Sequence, residues 1–594
     1  MDERQPEGSV GSRSRDRGSH PLERRVVPAL VVGVVLVWGS AVGFEKIRNY
    51  DYWWHLATGQ HIVETGSVPR TDPFTYTVEG ARWIDLHWLF QLGLQSVHAL
   101  AGHEGVRLAK GLLVWVVMAA AAWAAWRRER AAVLGLGLVG LAVLGSTRFL
   151  ARPDLPSFAL LSVVMGLLFR HESRGGWWVL AVVPIQVLWA NLHGLFAVGL
   201  AVIAMALWAE ALRPGLVRGV AWRRDRLVPL AVVLALSAAG ALLNPNGFAG
   251  ATFPLVQLGM IGTWDDRGLF GQAINELRPT LELGAGVLAP FFAMATLVGV
   301  GFVANRRRLE ALDVLLFVAF LYLALTARRN LALFAVVAVP LLVRNLGAVW
   351  EGRVAPGRRA RLTTAWLVLL CVSGAAFAAS QLRWAWHDEG MTSSALMPAR
   401  YPERAVDWIE RERPPGPIYH RMPDGGYLIA RLFPAYRAMV DGRLEVFGPT
   451  RFAALETGGR AGFDLLDARY GFGTVLLHHA FFAREDLLAA LWQRPEWQLV
   501  QLDESAAVFV RHGEESARRW PVLDPGAPDL FPPLDPRARP GLDLWRRHAR
   551  VRLLATLGAY ARALALADET LALHRSPAVS ELRDWLRARA PLGG

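Results

Sequence analysis

Long apolar runs alternate with short polar segments over the first two thirds of the chain. About eleven runs have the character of membrane helices, although several are shorter than the ~20 residues that a perpendicular helix needs to cross a bilayer. These runs are residues 26–44, 105–126, 131–147, 156–169, 177–192, 194–212, 227–243, 284–304, 311–327, 331–350 and 362–380. The pattern predicts a polytopic α-helical membrane domain over residues 26–380, with a large first loop at 45–104.

Composition supports a membrane protein. Of the 594 residues, 53% are hydrophobic and only 19% are charged. The single cysteine, Cys371, lies in the last apolar run. The region that follows therefore has no internal disulfide and must be stabilised by its own core or by docking.

Arginine placement predicts the orientation, because short cytoplasmic loops retain positive charge. Every second polar segment is rich in arginine. These segments are the basic tail 1–25 and residues 127–130, 170–174, 213–226, 305–308 and 351–361. We therefore expect a cytoplasmic N-terminus, with the first loop and the C-terminal third outside. The net charge of +13 is then a topological signal and not a nucleic-acid-binding surface.

The C-terminal third alternates helical and strand patterns. Strands are predicted at 416–421, 438–443, 474–479 and, as a pair, within 497–512. This alternation indicates a small extracytoplasmic α/β domain at 381–519. A Pro-rich linker at 520–540 follows. Residues 541–594 resemble a tetratricopeptide unit, with Gly558, Tyr560 and Pro577 at its turns, and predict a helical hairpin packed on the neighbouring domain.

Candidate chemistry begins directly after the first apolar run, in "DYWWHLATGQHIVETGSVPRTDPFTYT" at 51–77. If this segment is helical, Asp51 and His55 share one face. A carboxylate close to the hydrocarbon is costly unless it is paired, and such acids tend to be functional. Trp53 and Trp54 suit either an aromatic belt at the membrane surface or a site. Asp72 precedes a proline, so it is either a turn initiator or a functional acid.

Further polar residues fall at predicted outward loops. The segment 83–102 is predicted to form a helix along the outer membrane interface, where His87 is either a hydrogen-bonded interface residue or a functional one. Two outward arginine pairs are Arg148 with Arg152, and Arg328 with Arg329; for the second pair the alternative role is snorkelling to lipid headgroups. "ANLHG" places Asn191 and His193 at an outward bend, which favours a cavity wall. The sequence has no P-loop, dinucleotide fingerprint or zinc-spaced cysteines, which argues against cytoplasmic nucleotide chemistry.

Several of these segments together resemble one superfamily. The first-loop stretch above, "TRFLARPDLPSFALL", "LWANLHGLFAVGL", "LLNPNG", "LTARRNLALFAVVAVP" and "GGYLIARLFPAYRAMVDGR" are similar to segments of the class C (GT-C) membrane glycosyltransferases. They are most similar to a largely uncharacterised bacterial group, over residues 28–512. This chain has Asp-Tyr-Trp-Trp-His where mannosyltransferases have adjacent acids.

The resemblance implies transfer of a sugar from a polyprenyl-phosphate carrier to a glycan, lipid or protein acceptor at the outer face of the membrane. Asp51 matches the first-loop acid of the superfamily, which implies a general base or, with His55, a ligand for Mg²⁺ or Mn²⁺. Asp72 is a second catalytic candidate. The residues expected to bind the phosphate or line the substrate cavity are Arg148, Arg152, Arg328, Arg329, His87, Asn191 and His193.

Two other functions stay open at this level. One is a transporter or flippase-type protein for a lipid-linked glycan, although transporters often show hydropathy repeats that this sequence lacks. The other is a scaffold that kept the fold and lost turnover, because fold alone does not determine function. A scaffold would tolerate loss of Asp51, and an enzyme would not.

Overall fold

The structure is a computed structural model. It describes residues 21–216, 221–261, 274–384, 395–397, 400–456, 459–480, 485–534 and 540–589. The predicted basic tail up to residue 20, residues 385–394 of the predicted C-terminal domain and residues 535–539 of the predicted linker lie outside this set.

Helices account for the first two thirds of the chain, as the apolar runs predicted. A helix satisfies its backbone hydrogen bonds internally, which is what a segment in lipid requires. The helices are α1 (Pro21–Gly43), α2 (Asp51–Thr65), α3 (Trp88–Ala125), α4 (Ala131–Gly145), α5 (Asp154–Arg174), α6 (Val182–Leu192), α7 (Phe196–Leu216), α8 (Arg224–Gly240), α9 (Gly247–Ile261), α10 (Ala285–Ala304), α11 (Ala311–Thr326), α12 (Leu331–Arg353) and α13 (Pro356–Trp384).

Seven of the described helical segments are long and apolar enough to cross a membrane, and the chain is a multi-pass membrane protein. They lie in α1, α3, α5, α7, α10, α12 and α13. Shorter apolar segments are Trp177–Leu192 and Ala311–Thr326. Because α4 and α8 have only 15 and 17 residues, the total of about eleven spans stays a prediction.

The helix α3 joins two segments that the sequence separates. Its backbone leaves the helical conformation at Ala101 and at Gly102, where φ is 60° and ψ is −160°. A positive φ is available to glycine at little cost, so the chain changes direction here. The predicted interface helix and the next apolar run are thus distinct helices on either side of a kink. Their positions relative to a membrane stay predictions.

The helix α12 forms the centre of the bundle. Its residues from Leu331 to Val343 are all buried, and α4, α10 and α11 pack against it. A helix that is apolar on all sides has to be surrounded by other helices or lipid. The helices α3 and α5 also contact it, so α12 is a core helix of the bundle.

Residues 401–519, named the α/β domain below, form a four-stranded sheet with helices around it. The strand order is β1 (Ile418–Tyr419), β2 (Thr474–His478), β4 (Ala506–Arg511) and β3 (Trp497–Leu502). The pair β1–β2 is parallel and the other two pairs are antiparallel. Its helices are α14 (Glu403–Glu412), α15 (Met422–Leu432), α16 (Leu444–Leu455), α17 (Gly459–Tyr470), α18 (Glu485–Trp492) and α19 (Glu514–Arg519).

One predicted strand, at 438–443, is absent from this sheet. Its backbone bonds to the first loop instead: Ala438 N–H donates to Phe74 O at 3.0 Å, and Tyr76 N–H donates to Ala438 O at 3.1 Å. The next N–H, of Met439, donates to the His420 ring at 2.7 Å. These long-range hydrogen bonds take the place of bonds to a neighbouring strand, so the segment does not join the sheet. A local sequence pattern cannot show such partners.

Three helices end the described chain: α20 (Pro540–Thr556), α21 (Tyr560–Leu573) and α22 (Pro577–Arg587). Their buried residues share one hydrophobic cluster with the α/β domain. Arg550 of α20 also donates to Glu504 of that domain at 2.7 Å. The structure thus has three helices where the sequence predicted a helical hairpin, and they pack on the neighbouring domain. Its likeness to a tetratricopeptide unit stays a prediction.

Candidate functional site

The α/β domain packs on α2, at one end of the membrane bundle. A Cβ added at Gly442 would lie 2.4 Å from Oδ1 of Asp51, so any other residue there would require the Asp51 side chain to shift. A Cβ at Gly426 would lie 3.1 Å from the carbonyl oxygen of Tyr50 and 3.2 Å from the backbone nitrogen of Trp54. The loop around Gly442 therefore covers the start of α2, where the first candidate acid lies.

The two tryptophans of α2 belong to this packing. Trp53 and Trp54 are only 3% and 4% exposed. The Trp53 ring lies edge-on to the rings of Tyr401 and Tyr427, with centroids at 5.3 and 4.7 Å. The interpretation of these residues as an aromatic belt at the membrane surface is therefore wrong in this structure, because the α/β domain encloses them.

Asp51 is the first residue of α2 and is ion-paired to Arg152, with 2.7 Å between Oδ2 and NH2. Arg152 lies in the short loop between α4 and α5, 101 positions later in the sequence. The Asp51 side chain is 26% exposed. An acid at a helix N-terminus is favoured by the helix dipole as well as by its partner. This pair places a carboxylate at the end of the bundle with one face open.

Arg152 begins a series of alternating charges, named the ionic chain below. Its NH1 lies 2.8 Å from Oε1 of Glu276, and the other oxygen of Glu276 lies 2.6 Å from NH1 of Arg148. Arg148 pairs in turn with Asp154, the first residue of α5. Removing one member of such a chain leaves a partly buried charge without its partner, which is strongly destabilising. The ionic chain thus consists of Asp51, Arg152, Glu276, Arg148 and Asp154.

Three members of the ionic chain, Glu276, Arg152 and Arg148, stay charged at neutral pH. Burial alone would raise the pKa of Glu276, but Arg152 and Arg148 lower it below its usual range. Burial lowers the pKa of Arg152, yet Asp51 and Glu276 outweigh this and raise it. Burial lowers the pKa of Arg148 to about 10, which still leaves a cation at pH 7. Mutual stabilisation of opposite charges is the common cause.

A row of three histidines lies beside the ionic chain. Ring centroids are 5.4 Å apart for His55 and His87, and 5.3 Å apart for His87 and His193. His193 connects to the ionic chain, since its Nε2 lies 3.4 Å from Asp154. Burial lowers the pKa of both His55 and His193 well below the usual range, and the neighbouring His87 lowers each further. At neutral pH these two imidazoles are uncharged.

Polar side chains surround this row. His87 lies 3.5 Å from Asp85, whose carboxylate also accepts from Gln91 at 3.2 Å. His55 faces the same Gln91, with 3.5 Å between Nδ1 and Nε2. Asn191 is fully engaged: it accepts from Trp88 at 3.0 Å and donates to two backbone carbonyls. Asn191 therefore serves here to join α3 to α6.

Arg328 and Arg329 form the short turn between α11 and α12. The N–H of Arg328 donates to the carbonyl of Arg278 at 2.9 Å, so the turn packs on the segment that carries Glu276. Within the part of the chain that the structure describes, no hydrogen bond or ion pair reaches either guanidinium of the turn. Both side chains are half-buried. Two permanent positive charges are therefore available to a ligand beside the ionic chain.

Asp72 lies in a different setting from Asp51. It is buried in the first loop, where its carboxylate accepts from the N–H groups of Phe74 and Thr75 at 3.1 and 3.2 Å. It also pairs with Arg443 of the α/β domain at 2.7 Å. These contacts are those of an acid that initiates a turn and joins two parts of the fold. Its catalytic role stays a prediction.

A divalent cation does not fit the arrangement of Asp51 and His55. The Asp51 carboxylate faces the Arg152 guanidinium, which would repel a cation at that point. Among the described residues, no group of three or more His, Cys, Asp or Glu side chains is placed to hold a metal ion. The predicted Mg²⁺ or Mn²⁺ stays a prediction, and no step proposed below depends on it.

The structure adds residues that sequence reasoning missed. Asp154 and Glu276 are both part of the ionic chain, but neither was a candidate. Asp154 lies in the "RPD" segment that follows Arg152, so a weak local signal existed. Glu276 lies in a loop 124 positions after Arg152, and only the fold brings it there.

Comparisons with known proteins identify solved structures with a similar fold. No protein-family model matches the chain, and no curated protein matches it. The chain is similar to the crystal structure of the apo Archaeoglobus fulgidus oligosaccharyltransferase, with a TM-score of 0.52 and 13% identity over 82% of this chain and 75% of that chain. The same enzyme tethered to an acceptor peptide with the NVT sequon gives a TM-score of 0.48 and 12% identity over 82% and 74%.

At such low identity, the likeness to the apo enzyme shows the fold alone. The chain has a membrane fold similar to that of this oligosaccharyltransferase, with an α/β C-terminal region, in agreement with the fold that the sequence resemblance implied. Membership of the bacterial group with the Asp-Tyr-Trp-Trp-His motif stays a prediction.

Proposed function

We propose that this protein is a membrane glycosyltransferase of the GT-C type. It moves a sugar from a polyprenyl-phosphate carrier to an acceptor, a glycan, lipid or protein, on the outer face of the inner membrane. The fold, similar to that of an oligosaccharyltransferase, supports this class. The observation that carries the proposal is the ion pair of Asp51 and Arg152 beside the unpaired arginines of the α11–α12 turn.

The reaction sets the requirements for the site. The bond between the anomeric carbon and the phosphate oxygen breaks, and its electron pair leaves with the carrier phosphate. The acceptor nucleophile forms a new bond to the anomeric carbon and gives up a proton. A cation that stabilises the phosphate and a group that takes the proton are therefore needed.

Arg328 and Arg329 provide the cationic part. A guanidinium has a planar fork that matches phosphate oxygens and keeps its charge at any physiological pH. The arginines of the ionic chain already have carboxylate partners, which leaves these two for a ligand. Their half-buried position strengthens the interaction, because water screens the charge less.

Asp51 provides the carboxylate. Arg152 holds one of its oxygens at 2.7 Å and fixes its orientation, while the side chain stays partly open to solvent. We assign to Asp51 the acceptance of the acceptor's proton. The neutral imidazole of His193 lies beside the ionic chain, where an uncharged donor and acceptor suits sugar hydroxyls.

The α/β domain controls access to this carboxylate. The Gly442 loop covers Asp51, so an acceptor has to enter along the edge of that loop. With the N-terminus in the cytoplasm, this end of the bundle faces outward. A lipid-borne phosphate and a water-borne acceptor then meet at the same place.

The test is sugar transfer by purified protein. The donor is the polyprenyl-phosphate-linked sugar fraction extracted from a strain that lacks this gene. Asp51→Asn removes the proton acceptor and should lower the transfer rate by roughly 10² to 10⁴-fold. Glu64→Gln is the matched control: Glu64 lies on the same helix but bonds only Gln60, at 2.8 Å on the exposed face.

The possible outcomes separate the three functions. Transfer that depends on Asp51 supports the enzyme. Movement of the lipid-linked sugar across a vesicle membrane without a new glycosidic bond would support a transporter and contradict the proposal. A fully active Asp51→Asn protein would show that Asp51 is not the proton acceptor.

A further inference from the structure

A basic cavity lies at the end of the bundle opposite to the ionic chain. Its walls come from the ends of α3 and α5, from the turn after α10 and from α12. The ionic chain includes Asp154 at the first residue of α5, whereas the cavity includes Arg174 at the last. The 21 residues of α5 correspond to roughly 30 Å of helix. The cavity is therefore a separate site on the other face of the membrane domain.

Positive charge dominates this cavity of about 340 Å³. Six arginines and only two acidic residues, Glu310 and Asp313, line it. The arginines are Arg127, Arg130, Arg170, Arg174, Arg308 and Arg344. Such a surplus is costly in a protein unless a counter-charge occupies the space.

Two of the six arginines are neutralised within the fold. Arg130 pairs with Glu351 at 2.8 Å, and Arg344 pairs with both Glu172 and Asp313 at 2.7 and 2.8 Å. These pairs hold the wall of the cavity in place. The positive charge of the cavity therefore comes from the other four arginines.

The remaining four arginines lack carboxylate partners among the described residues. Arg170 bonds only backbone carbonyls and stacks over the Trp123 ring at 3.9 Å. For Arg127, Arg174 and Arg308, no side-chain hydrogen bond or ion pair is formed within the described part of the chain. All three are exposed at the mouth of the cavity. Their convergence on one cavity distinguishes them from arginines that only line a loop.

A neighbouring cavity shows that a surplus of positive charge is not a general feature of cavities at this end of the bundle. It has a volume of about 280 Å³ and shares Glu310 with the basic cavity. Two of its three arginines are compensated, since Arg213 and Arg226 both lie within 3.6 Å of Glu210, and three glutamates line it in all. Basic residues at this end of the bundle therefore do not by themselves produce an anion site.

Exposed tryptophans locate the basic cavity relative to the bilayer. Trp123 and Trp126 end α3, and Trp177 and Trp178 follow α5; all four have exposed rings. Tryptophans at such positions lie at the level of lipid headgroups. The mouth of the cavity therefore opens where phosphate groups of lipids are concentrated.

We propose that this cavity binds the phosphate headgroup of an anionic phospholipid from the leaflet opposite to the α/β domain. Basic pockets between membrane helices suit such headgroups because each arginine near the membrane surface contributes to the attraction. The two neutralised arginines hold the cavity open, and Arg127, Arg174 and Arg308 bind the phosphates. The assignment is independent of the glycosyltransferase activity.

Native mass spectrometry of the full chain in neutral detergent tests this proposal, with cardiolipin and phosphatidylcholine added in equal amounts. The wild-type protein should retain cardiolipin preferentially. The triple variant Arg127→Gln, Arg174→Gln and Arg308→Gln should retain it about tenfold less or weaker still. The matched control removes the same charge from the same end of the bundle at positions that do not line the cavity, Arg128→Gln, Arg224→Gln and Arg307→Gln, and should bind like the wild type.

Three results would overturn the proposal. Equal retention of cardiolipin and phosphatidylcholine by the wild type is one, and it does not require any variant to fold. Equal losses in the triple variant and the control would show general charge attraction. Displacement of cardiolipin by millimolar inorganic pyrophosphate, in a manner that requires the same three arginines, would assign the cavity to a soluble phosphate.

Discussion

Arg443 of the α/β domain and Asp72 of the first loop are ion-paired at 2.7 Å, and both side chains are fully buried. The same guanidinium binds Asp441 at 2.6 Å. It also lies over the rings of Phe74 and Trp83, at 5.1 and 4.6 Å from their centroids. One buried cation shared by two carboxylates connects the first loop to the α/β domain. This connection holds the Gly442 loop, one residue away, over Asp51.

Asp72→Asn should therefore act on stability. Breaking a buried pair from one side commonly costs about 3–5 kcal/mol when a charge is left without any partner; Arg443 keeps Asp441, so the cost should lie at or below the lower end of this range. We expect a lower thermal unfolding temperature and faster proteolysis of the first loop. Glu79→Gln is the control in the same loop, since the Glu79 and Arg437 side chains are 62% and 40% exposed. An exposed pair contributes only about 0–1 kcal/mol. Asp72→Asn protein that unfolds like the wild type but cannot transfer sugar would instead establish a catalytic Asp72.

Arg328→Lys and Arg329→Lys test the phosphate site. Lysine keeps the charge but loses the planar fork, so bidentate binding is lost and turnover should fall by roughly tenfold or more. The measurement is the rate of sugar transfer at saturating acceptor. Arg278→Lys provides the comparison, because Arg278 is exposed and contacts the same turn. Wild-type rates in both lysine variants would leave contact with lipid headgroups as the role of this turn.

The loss of stability caused by Glu276→Gln should depend on pH in a characteristic way. The pKa of Glu276 lies below its usual 4.5 because Arg152 and Arg148 outweigh the effect of burial. Its contribution to stability is therefore fully present above about pH 4.5 and is lost only as the pH falls through the lower, folded-state pKa. The difference in unfolding temperature between wild type and variant should stay constant from pH 8 to pH 5. A difference that already disappears between pH 7 and pH 6 would contradict the ionic chain.

Cysteine labelling tests the orientation. The chain has one cysteine, so Cys371→Ser provides a background for single cysteines. A membrane-impermeant maleimide should label Glu514→Cys in intact cells and Arg307→Cys only after permeabilisation. Both positions are exposed in the structure, so accessibility differs only through the membrane. The reverse pattern would place the α/β domain in the cytoplasm and exclude the proposed reaction with an outer acceptor.

Local patterns in the sequence predicted the elements. Apolar periodicity located the helices of the bundle, and alternation in the last third located the strands β1 to β4. The strand expected at 438–443 did not form because the first loop binds its backbone. Hydrogen-bond partners that are more than 300 positions away leave no trace in a local pattern.

For the candidate site, too, the sequence predicted individual residues but not their partners. Asp51 stood out in the sequence because an acid directly after an apolar run needs a physical reason, and the outward arginines stood out against the inward ones. The sequence did not show which residue each of them pairs with. The ion pair Asp51–Arg152 joins residues 101 positions apart, and the ion pair Arg152–Glu276 joins residues 124 positions apart.

The sequence by itself determined that this is a multi-pass membrane protein with an α/β region, because hydrophobicity and periodicity are properties of contiguous residues. The tertiary structure decided which charged residues meet. It buried Asp72 against Arg443, closed the Gly442 loop over Asp51 and brought Glu276 between two arginines. The physical reason is that a charge near a membrane has to find its partner wherever the fold places one, and that distance in space is independent of distance along the chain.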